Sequence, residues 1–411
     1  MALLQMEESL VNKIENGTVI TPKGFKADGI HIGLRHSKKD LGIIFSEVPA
    51  NSAAVYTQSH FQAAPLLVTQ QSIAKEGKLQ AVVVNSAIAN ACTGEKGLED
   101  ANEMRKLCAN KFSLSEHYVA VASTGVIGEY LNMDLISKGI QELKPGAETA
   151  SADSFEQAIL TTDLVQKNAC VQVEIDGKTV TIGGASKGSG MIHPNMATML
   201  GFVTTDAAID TASLHEALRE VTNQSFNQIT VDGETSTNDM VLVMANGLAE
   251  NQPLNSSHPQ WDTFKFALKL VSEELAKQIA KDGEGATRLI EVNVCGAESE
   301  KDARVISKKI VGSNLVKTAV YGADANWGRI IGAIGHSDAA VDPSKVSVYL
   351  KDICLFKEGT PQSFSEEDAT KYLQNKTVVF DIFLNIGEGN GTAWGCDLTY
   401  DYVKINASYR T

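Results

Sequence analysis

Residues 184–200 read GASKGSGMIHPNMATML, a glycine-rich run followed by three methionines and then a small residue placed before a threonine. A phosphate loop, a metal site and a self-cleaving junction compete to account for it. Spacing tests the first. Gly183 and Gly188 stand at the P-loop interval, but Ser189-Gly190 follow where Lys-Ser/Thr is required. GASKGSG therefore reads as a flexible turn after a strand. A metal site lacks both an HExxH pair and a cysteine pair. His193, with no partner motif, reads as structural, and Met191, Met196 and Met199 as gap-filling apolar contacts.

The pair Ala197-Thr198 carries more chemistry. A threonine hydroxyl needs a base to act as a nucleophile at neutral pH, and the α-amino group of a chain-initial threonine is one such base. An α-amine titrates near ~8, whereas a lysine titrates near ~10.4. The chain would have to be cut before Thr198. Ala197 leaves the scissile carbonyl open, upstream glycines permit a bent backbone, and the branched Cβ restricts the rotamers that aim the hydroxyl. The competing explanation is that threonine favours strands.

Outward from this stretch, strands and helices alternate. LQAVVVN (79–85) and HYVAVAST (117–124) read as short buried strands, and LNMDLISKGIQELK has helical spacing. VQVEIDGKTVTIGG (171–184) reads as a hairpin turned by Asp176-Gly177. TMLGFVTTD (198–206) reads as a strand and TASLHEALREVTNQ as an amphipathic helix. A longer helix over 260–281 places Phe264, Leu268, Val271, Leu275 and Ile279 on one face and stops at Gly283. The polar segment NQPLNSSHPQ before it reads as a linker. Beyond residue 290 the pattern resets as strand, helix, strand, then NWGRIIGAIG and a β-rich tail. Gly387-Glu388-Gly389-Asn390-Gly391 reads as a loop or bulge.

The chain has 411 residues, enough for two or three domains, and its 43% hydrophobic content is that of a folded globular protein. A formal charge of −14 gives no basic footprint for nucleic acid or anionic lipid. Small molecules are the expected partners. No signal or transit peptide and no membrane span is evident. The six scattered cysteines suit reduced thiols in a cytoplasmic protein.

GGASKGSGMIHPNMATML resembles the processing and active-site motif of the ornithine acetyltransferase family, the bifunctional glutamate and amino-acid N-acetyltransferases of arginine biosynthesis. Similar segments span the chain: GFKADGIHIGLRHSKKDLGIIFSEVPA, ANACTG, ASTGVIG, ILTTD, SFNQITVDGETSTNDM, KDGEGATRLIEV, NWGRIIGAIG and YVKINASYRT. The resemblance implies an α/β fold, an αββα sandwich like that of the N-terminal nucleophile hydrolases with different connectivity, plus a smaller C-terminal α/β domain. Residues 1–290 would form the first and 291–411 the second. Autolysis after Ala197 would give chains 1–197 and 198–411, assembled as α2β2.

Carried residue by residue, the resemblance makes Thr198 the nucleophile and Thr124 and Gly125 the oxyanion hole, at a strand end beside a helix start where free donors are available. Thr161, Lys187, Thr198, Glu284, Asn406 and Thr411 would bind substrate. Lys187 suits an α-carboxylate, and Glu284 suits the ornithine side-chain amine. Acetyl passes from N2-acetylornithine to Thr198 and then to glutamate by ping-pong covalent catalysis. No metal or cofactor is implied, although acetyl-CoA could load the enzyme as a substrate. The rivals are a self-processing amidase or aminopeptidase that hydrolyses its acyl-enzyme, and a dead relative acting as a binding protein. Two departures stand out. Ala87-Ile88 replace a Gly-Asn pair in NSAIANACTG, and Ala325 precedes Asn326 where the family pattern has Asp-Pro.

Overall fold

LQAVVVN has no polar face because both of its faces are covered. In the computed structural model, which describes residues 11–193 and 199–408, Val82 and Val84 pack against Phe155 and Ile159 of helix Thr149–Ile159. Ala81 and Val83 face Met104 and Cys108 of helix Gly94–Phe112. A strand with helices on both sides reads as a continuous apolar run.

The strands, in chain order, are β1 (Val11–Lys13), β2 (Phe25–Ile30), β3 (Leu41–Tyr56), β4 (Lys78–Asn85), β5 (Val119–Ser123), β6 (Lys167–Ile175), β7 (Lys178–Lys187) and β8 (Leu200–Thr205). Then come β9 (Ile229–Thr230), β10 (Met240–Ala245), β11 (Leu289–Ala297), β12 (Ser347–Leu350), β13 (Ile353–Lys357), β14 (Thr360–Pro361), β15 (Thr377–Phe383) and β16 (Gly389–Cys396). A nine-stranded sheet runs β1-β6-β7-β8-β10-β3-β4-β5, with β2 paired to β3. A seven-stranded sheet runs β14-β13-β12-β15-β11-β16-β9. The expected mixed α/β class, with two sheets, is what forms.

The β6–β7 hairpin turns at Asp176-Gly177, with Ile175 opposite Lys178 and both turn residues at positive φ. Helix Trp261–Lys281 lies on β6 and β7 with Phe264, Leu268, Val271, Leu275 and Ile279 all fully buried. Burial of each stabilises the fold by about 2 kcal/mol.

Four expectations are corrected. GASK is not loop: residues 184–187 complete β7. A Cβ on Gly183 would sit 2.2 Å from the Thr18 carbonyl oxygen, and one on Gly184 would sit 2.8 Å from Leu275 Cδ1. These glycines let other elements approach the strand closely. Helix Trp261–Lys281 ends with Asp282 turned into an ion cluster, and Gly283 packs against Cys396 rather than adopting the left-handed form. NQPLNSSHPQ is tied down as it crosses: Leu254 is fully buried, and its amide donates to Ala208 O at 2.9 Å. The second strand expected after residue 290 is instead helix Asn314–Tyr321, whose N-cap Ser313 accepts from the Val316 amide. NWGRIIGAIG also coils, as helix Trp327–Gly335.

The run 387–391 leads into β16, where it meets helix Glu300–Val311. A Cβ on Gly391 would stand 2.7 Å from the Arg304 amide nitrogen, so close helix-to-strand packing selects glycine there.

One crossing links the two sheets. β9 pairs with β16 in the second sheet, and ten residues later β10 pairs with β8 and β3 in the first. Residues 231–239 bridge the gap and form one wall of the site.

Candidate active site

A cavity of about 150 Å³ opens where the ends of β5 and β7 and the start of β8 meet the 231–239 crossing. Thr124, Gly125, Thr161, Lys187, Glu284 and Asn406 all line it. Six residues spread over 283 positions thus converge on one space. Ala197, Thr198 and Thr411 lie outside the described residues, but Met199 and Leu200 are part of the cavity wall. His193 lies outside this cavity, its Nδ1 2.9 Å from Thr230 Oγ1. Burial and the nearby Lys308 and Lys309 push its pKa down to about 4.

Thr124 and Gly125 follow β5, but the next helix, Met133–Glu142, begins eight residues beyond Gly125. The free donors therefore come from loop geometry. The Thr124 amide is used, donating to Asn85 O at 3.0 Å. Its hydroxyl and the Gly125 amide have no partner among the described residues. Gly125 has φ +124°, and a Cβ there would lie 2.1 Å from the Ala87 carbonyl oxygen, so only glycine fits.

The Ala87-Ile88 departure therefore sits directly behind the donors. Asn85 orders this layer: its Nδ2 donates to Ser123 Oγ at 2.5 Å, and its Oδ1 accepts from the amides of Ala87 at 3.2 Å and Ile88 at 3.1 Å. The other departure, Ala325, is buried and belongs to the core of the second sheet, away from this cavity.

On the opposite side, Asp163 gathers the floor. It accepts from Lys167 Nζ at 2.7 Å, the Gly188 amide at 2.6 Å and the Thr161 amide at 3.0 Å, with Lys187 Nζ at 3.9 Å. Lys167 is fully buried and also meets Asp282 Oδ2 at 2.6 Å. Burial alone would raise the Asp163 pKa, but the ammonium groups of Lys187 and Lys167 outweigh it and hold the carboxyl well below the usual range. Burial lowers the pKa of Lys187, Asp163 opposes that shift, and Lys167 adds to it.

Glu284 is held by its amide, which donates to Ser189 O at 2.9 Å, and by Asn406 Nδ2, which donates to its Oε2 at 2.9 Å. Asn406 lies on the C-terminal helix Tyr400–Ser408. Asp232 accepts from the amides of Met191 at 2.7 Å and Ile192 at 2.9 Å.

The stretch holding residues 194–198 is thus anchored on both sides by the 231–240 segment: the Val231 amide donates to Ile192 O at 2.7 Å, and the Met240 amide to Met199 O at 2.9 Å. Sequence reasoning missed Asp163, Lys167, Asp282, Asp232 and Asn85. Asp163 stands in ILTTD and Asp232 in SFNQITVDGETSTNDM, so proximity to those motifs was the available signal.

Carboxylates predominate in the cavity, with Asp232, Glu234, Asp239 and Glu284 facing one ammonium, Lys187. It can therefore receive a cationic group beside a carboxylate. Among the described residues, no group of three or more His, Cys, Asp or Glu side chains is placed to hold a metal ion, and no helix is long and apolar enough to cross a membrane.

The ArgJ family model matches residues 26–411. The chain is 67% identical over 401 residues to the arginine biosynthesis bifunctional protein ArgJ of Geobacillus kaustophilus, covering 98% of each chain. It is 64% identical over 410 residues to the Bacillus subtilis protein of the same name, covering 100% of each. Among solved structures, it matches the ArgJ protein of Bacillus halodurans at 62% identity and TM-score 0.45, over 46% of this chain and 98% of that one. It also matches the ornithine acetyltransferase of Mycobacterium tuberculosis complexed with ornithine, at 35% identity and TM-score 0.42, over 46% of this chain and 100% of that one. With a family match from residue 26 to the last residue and end-to-end identity to curated relatives, the chain belongs to the ArgJ family.

Proposed function

We propose that the protein cuts itself between Ala197 and Thr198 and then transfers the acetyl group of N2-acetyl-L-ornithine to L-glutamate through an acetyl-threonine ester. The observation that carries this is the convergence, beside the residues flanking Thr198, of two unpartnered donors, a buried lysine and a held glutamate. The relatives are named for a bifunctional role in arginine biosynthesis, and one solved neighbour holds ornithine.

The freed α-amine of Thr198 takes the hydroxyl proton as Oγ attacks the acetyl carbonyl. The Thr124 hydroxyl and Gly125 amide receive the developing oxyanion, a contribution of several kcal/mol when donors are fixed in advance. The C–N bond breaks, and the ornithine amine departs with the proton. Glutamate then enters, its amine attacks the ester, and Thr198 recovers its proton.

Lys187 takes the substrate α-carboxylate and Glu284 the ornithine side-chain ammonium; Thr161, Asn406 and Thr411 complete the substrate contacts. The mature enzyme is a cytoplasmic α2β2 assembly of chains 1–197 and 198–411, with residues 1–290 as the catalytic domain and 291–411 as the smaller one. Acetyl transfer rather than hydrolysis separates it from the self-processing amidases.

Thr198→Ala tests this. The wild type is expected to run as two bands on a denaturing gel and to acetylate glutamate from acetylornithine. The variant is expected to run as one band with transfer reduced by at least about 10³-fold, the scale of losing a covalent nucleophile. A variant that cleaves and transfers at the wild-type rate refutes the assignment.

A further inference from the structure

A second cavity, of about 1090 Å³, lies against the first. Helices Glu300–Val311 and Trp327–Gly335 contribute Lys308, Lys309 and Arg329 to its lining, with His336 just beyond the second helix and His193 across from them. Asp338 is the one carboxylate among the lining residues. On a chain of net charge −14, this is a local reversal of sign.

Part of it has a simple structural cause, since Lys308 and Lys309 fall in the last turn of their helix, where cations are favoured. Arg329 Nη1 also pins Leu315 O at 2.7 Å. Neither cause accounts for the histidines converging from two other segments, or for the open floor. A Cβ on Gly332 would meet nothing within 4 Å, and one on Gly328 only Asn326 Oδ1 at 3.5 Å.

The two cavities share a thin wall. Thr235 lines the outer cavity, while Glu234 and Ser236 on either side line the inner one. His193 lines the outer cavity, while Met191 and Ile192 just before it line the inner one. Thr235 Oγ1 donates to His193 O at 3.0 Å, so the wall is two chain segments thick. Thr198 follows His193 by five residues.

The inner cavity, with four carboxylates to one lysine, repels phosphate. An acyl donor carrying phosphates must leave them outside while its acyl end reaches Thr198.

We infer that the outer cavity binds the phosphorylated nucleotide end of an acyl-thioester donor, through Lys308, Lys309, Arg329 and His336, and so gives the nucleophile a second source of acetyl. This rests on the proposal that Thr198 is the acyl acceptor. In the loading step, Thr198 Oγ forms a bond to the thioester carbonyl carbon and the C–S bond breaks. The sulfur leaves as the thiol, with the proton that the α-amine took from the hydroxyl. The acetyl-threonine formed is the same as that made from acetylornithine.

The test compares wild type with Lys309→Glu, a substitution at an exposed position, using three acetyl donors with glutamate as acceptor. Acetylornithine is the internal control and should be turned over equally by both proteins. For acetyl-CoA, KM should rise about tenfold or more in the variant, the scale of losing one charge-assisted contact. For acetylpantetheine, which lacks the nucleotide, KM should be the same in both. Calorimetry should show adenosine 3′,5′-bisphosphate binding the wild type and more weakly the variant, with inorganic phosphate competing only at far higher concentration.

Equal acetyl-CoA KM values in the two proteins, or parallel rises for acetyl-CoA and acetylpantetheine, overturn the inference. So does phosphate binding as tightly as the bisphosphate, which would make this a generic anion site. If acetylornithine transfer proceeds while acetyl-CoA is refused and the bisphosphate fails to bind, this inference alone falls. If acetylornithine transfer itself is absent from the wild type, the proposed function falls first.

Discussion

Asp163→Asn keeps the shape of the side chain and removes one charge from the floor of the cavity. The Lys167 ammonium, fully buried, would then keep only Asp282 Oδ2 at 2.6 Å as an anionic partner, with Val165 O at 3.2 Å. The new amide must also choose between turning its oxygen to Lys167 or to the Gly188 amide, since Asp163 Oδ1 now serves both, at 2.7 and 2.6 Å. Breaking a buried pair costs about 3–5 kcal/mol. With Asp282 still in place, the lower end of about 3 kcal/mol is expected.

Urea unfolding followed by tryptophan fluorescence reads the loss as a lower midpoint. The double variant Asp163→Asn/Lys167→Met should recover part of it, because it removes the uncompensated cation as well. A single variant within about 1 kcal/mol of wild type, the range of an exposed pair, would refute this account of the cluster.

The same carboxylate makes the effect depend on pH. Its folded pKa is depressed below the ordinary 3.8, so its contribution is fully present above that value and fades as pH falls below it towards the folded pKa. The gap between wild type and variant should therefore narrow only in acid below about pH 3.8 and stay constant towards neutrality. A second consequence concerns Lys187. Burial lowers its pKa and Asp163 works against that, so losing Asp163 should lower it further. Glutamate KM in the variant should begin to rise at a lower alkaline pH than in wild type.

Two substitutions probe the oxyanion layer. Gly125→Ala places a methyl group 2.1 Å from the Ala87 carbonyl oxygen, at φ +124°; the loop must move, and kcat should fall at least 10²-fold, roughly the loss of one oxyanion donor, with wild-type kcat as the refuting result. Asn85→Ala leaves the Ala87 and Ile88 amides and the Ser123 hydroxyl without their partner. At ~1–3 kcal/mol per buried group it should both destabilise the protein and lower kcat more than it raises KM, whereas a change confined to KM would detach Asn85 from the donors.

Periodicity carried most of the fold. The 79–85 and 117–124 runs, the Asp176-Gly177 hairpin and the five-residue face of helix Trp261–Lys281 are local patterns that tertiary packing reinforces. It failed where glycine had a remote cause. Gly183 and Gly184 look like loop residues, yet what selects them is Thr18 and Leu275 pressing on a strand. NLVKTAVY has apolar residues that suit a strand or a helix, and the Ser313 cap decided for the helix. In the site, motif residues were legible because their chemistry is exposed to substrate. Lys167 and Asp282 were not, because a buried ion pair is set by partners 115 positions apart.

The 231–240 crossing explains how a chain could be cut in its active site without losing the site. Its Val231 amide and Asp232 carboxylate hold the strand up to Ile192, and its Met240 amide holds Met199, where β8 begins. Lys187 lies upstream on β7, which stays paired with β8 from Ile182 to Lys187. Every contact that places the nucleophile's neighbours is therefore made to a segment that neither new end belongs to, or across a ladder that the cut does not cross. Breaking the Ala197-Thr198 bond would free an amine beside the Thr124 and Gly125 donors while leaving both flanks anchored, so processing would demand no refolding of either chain.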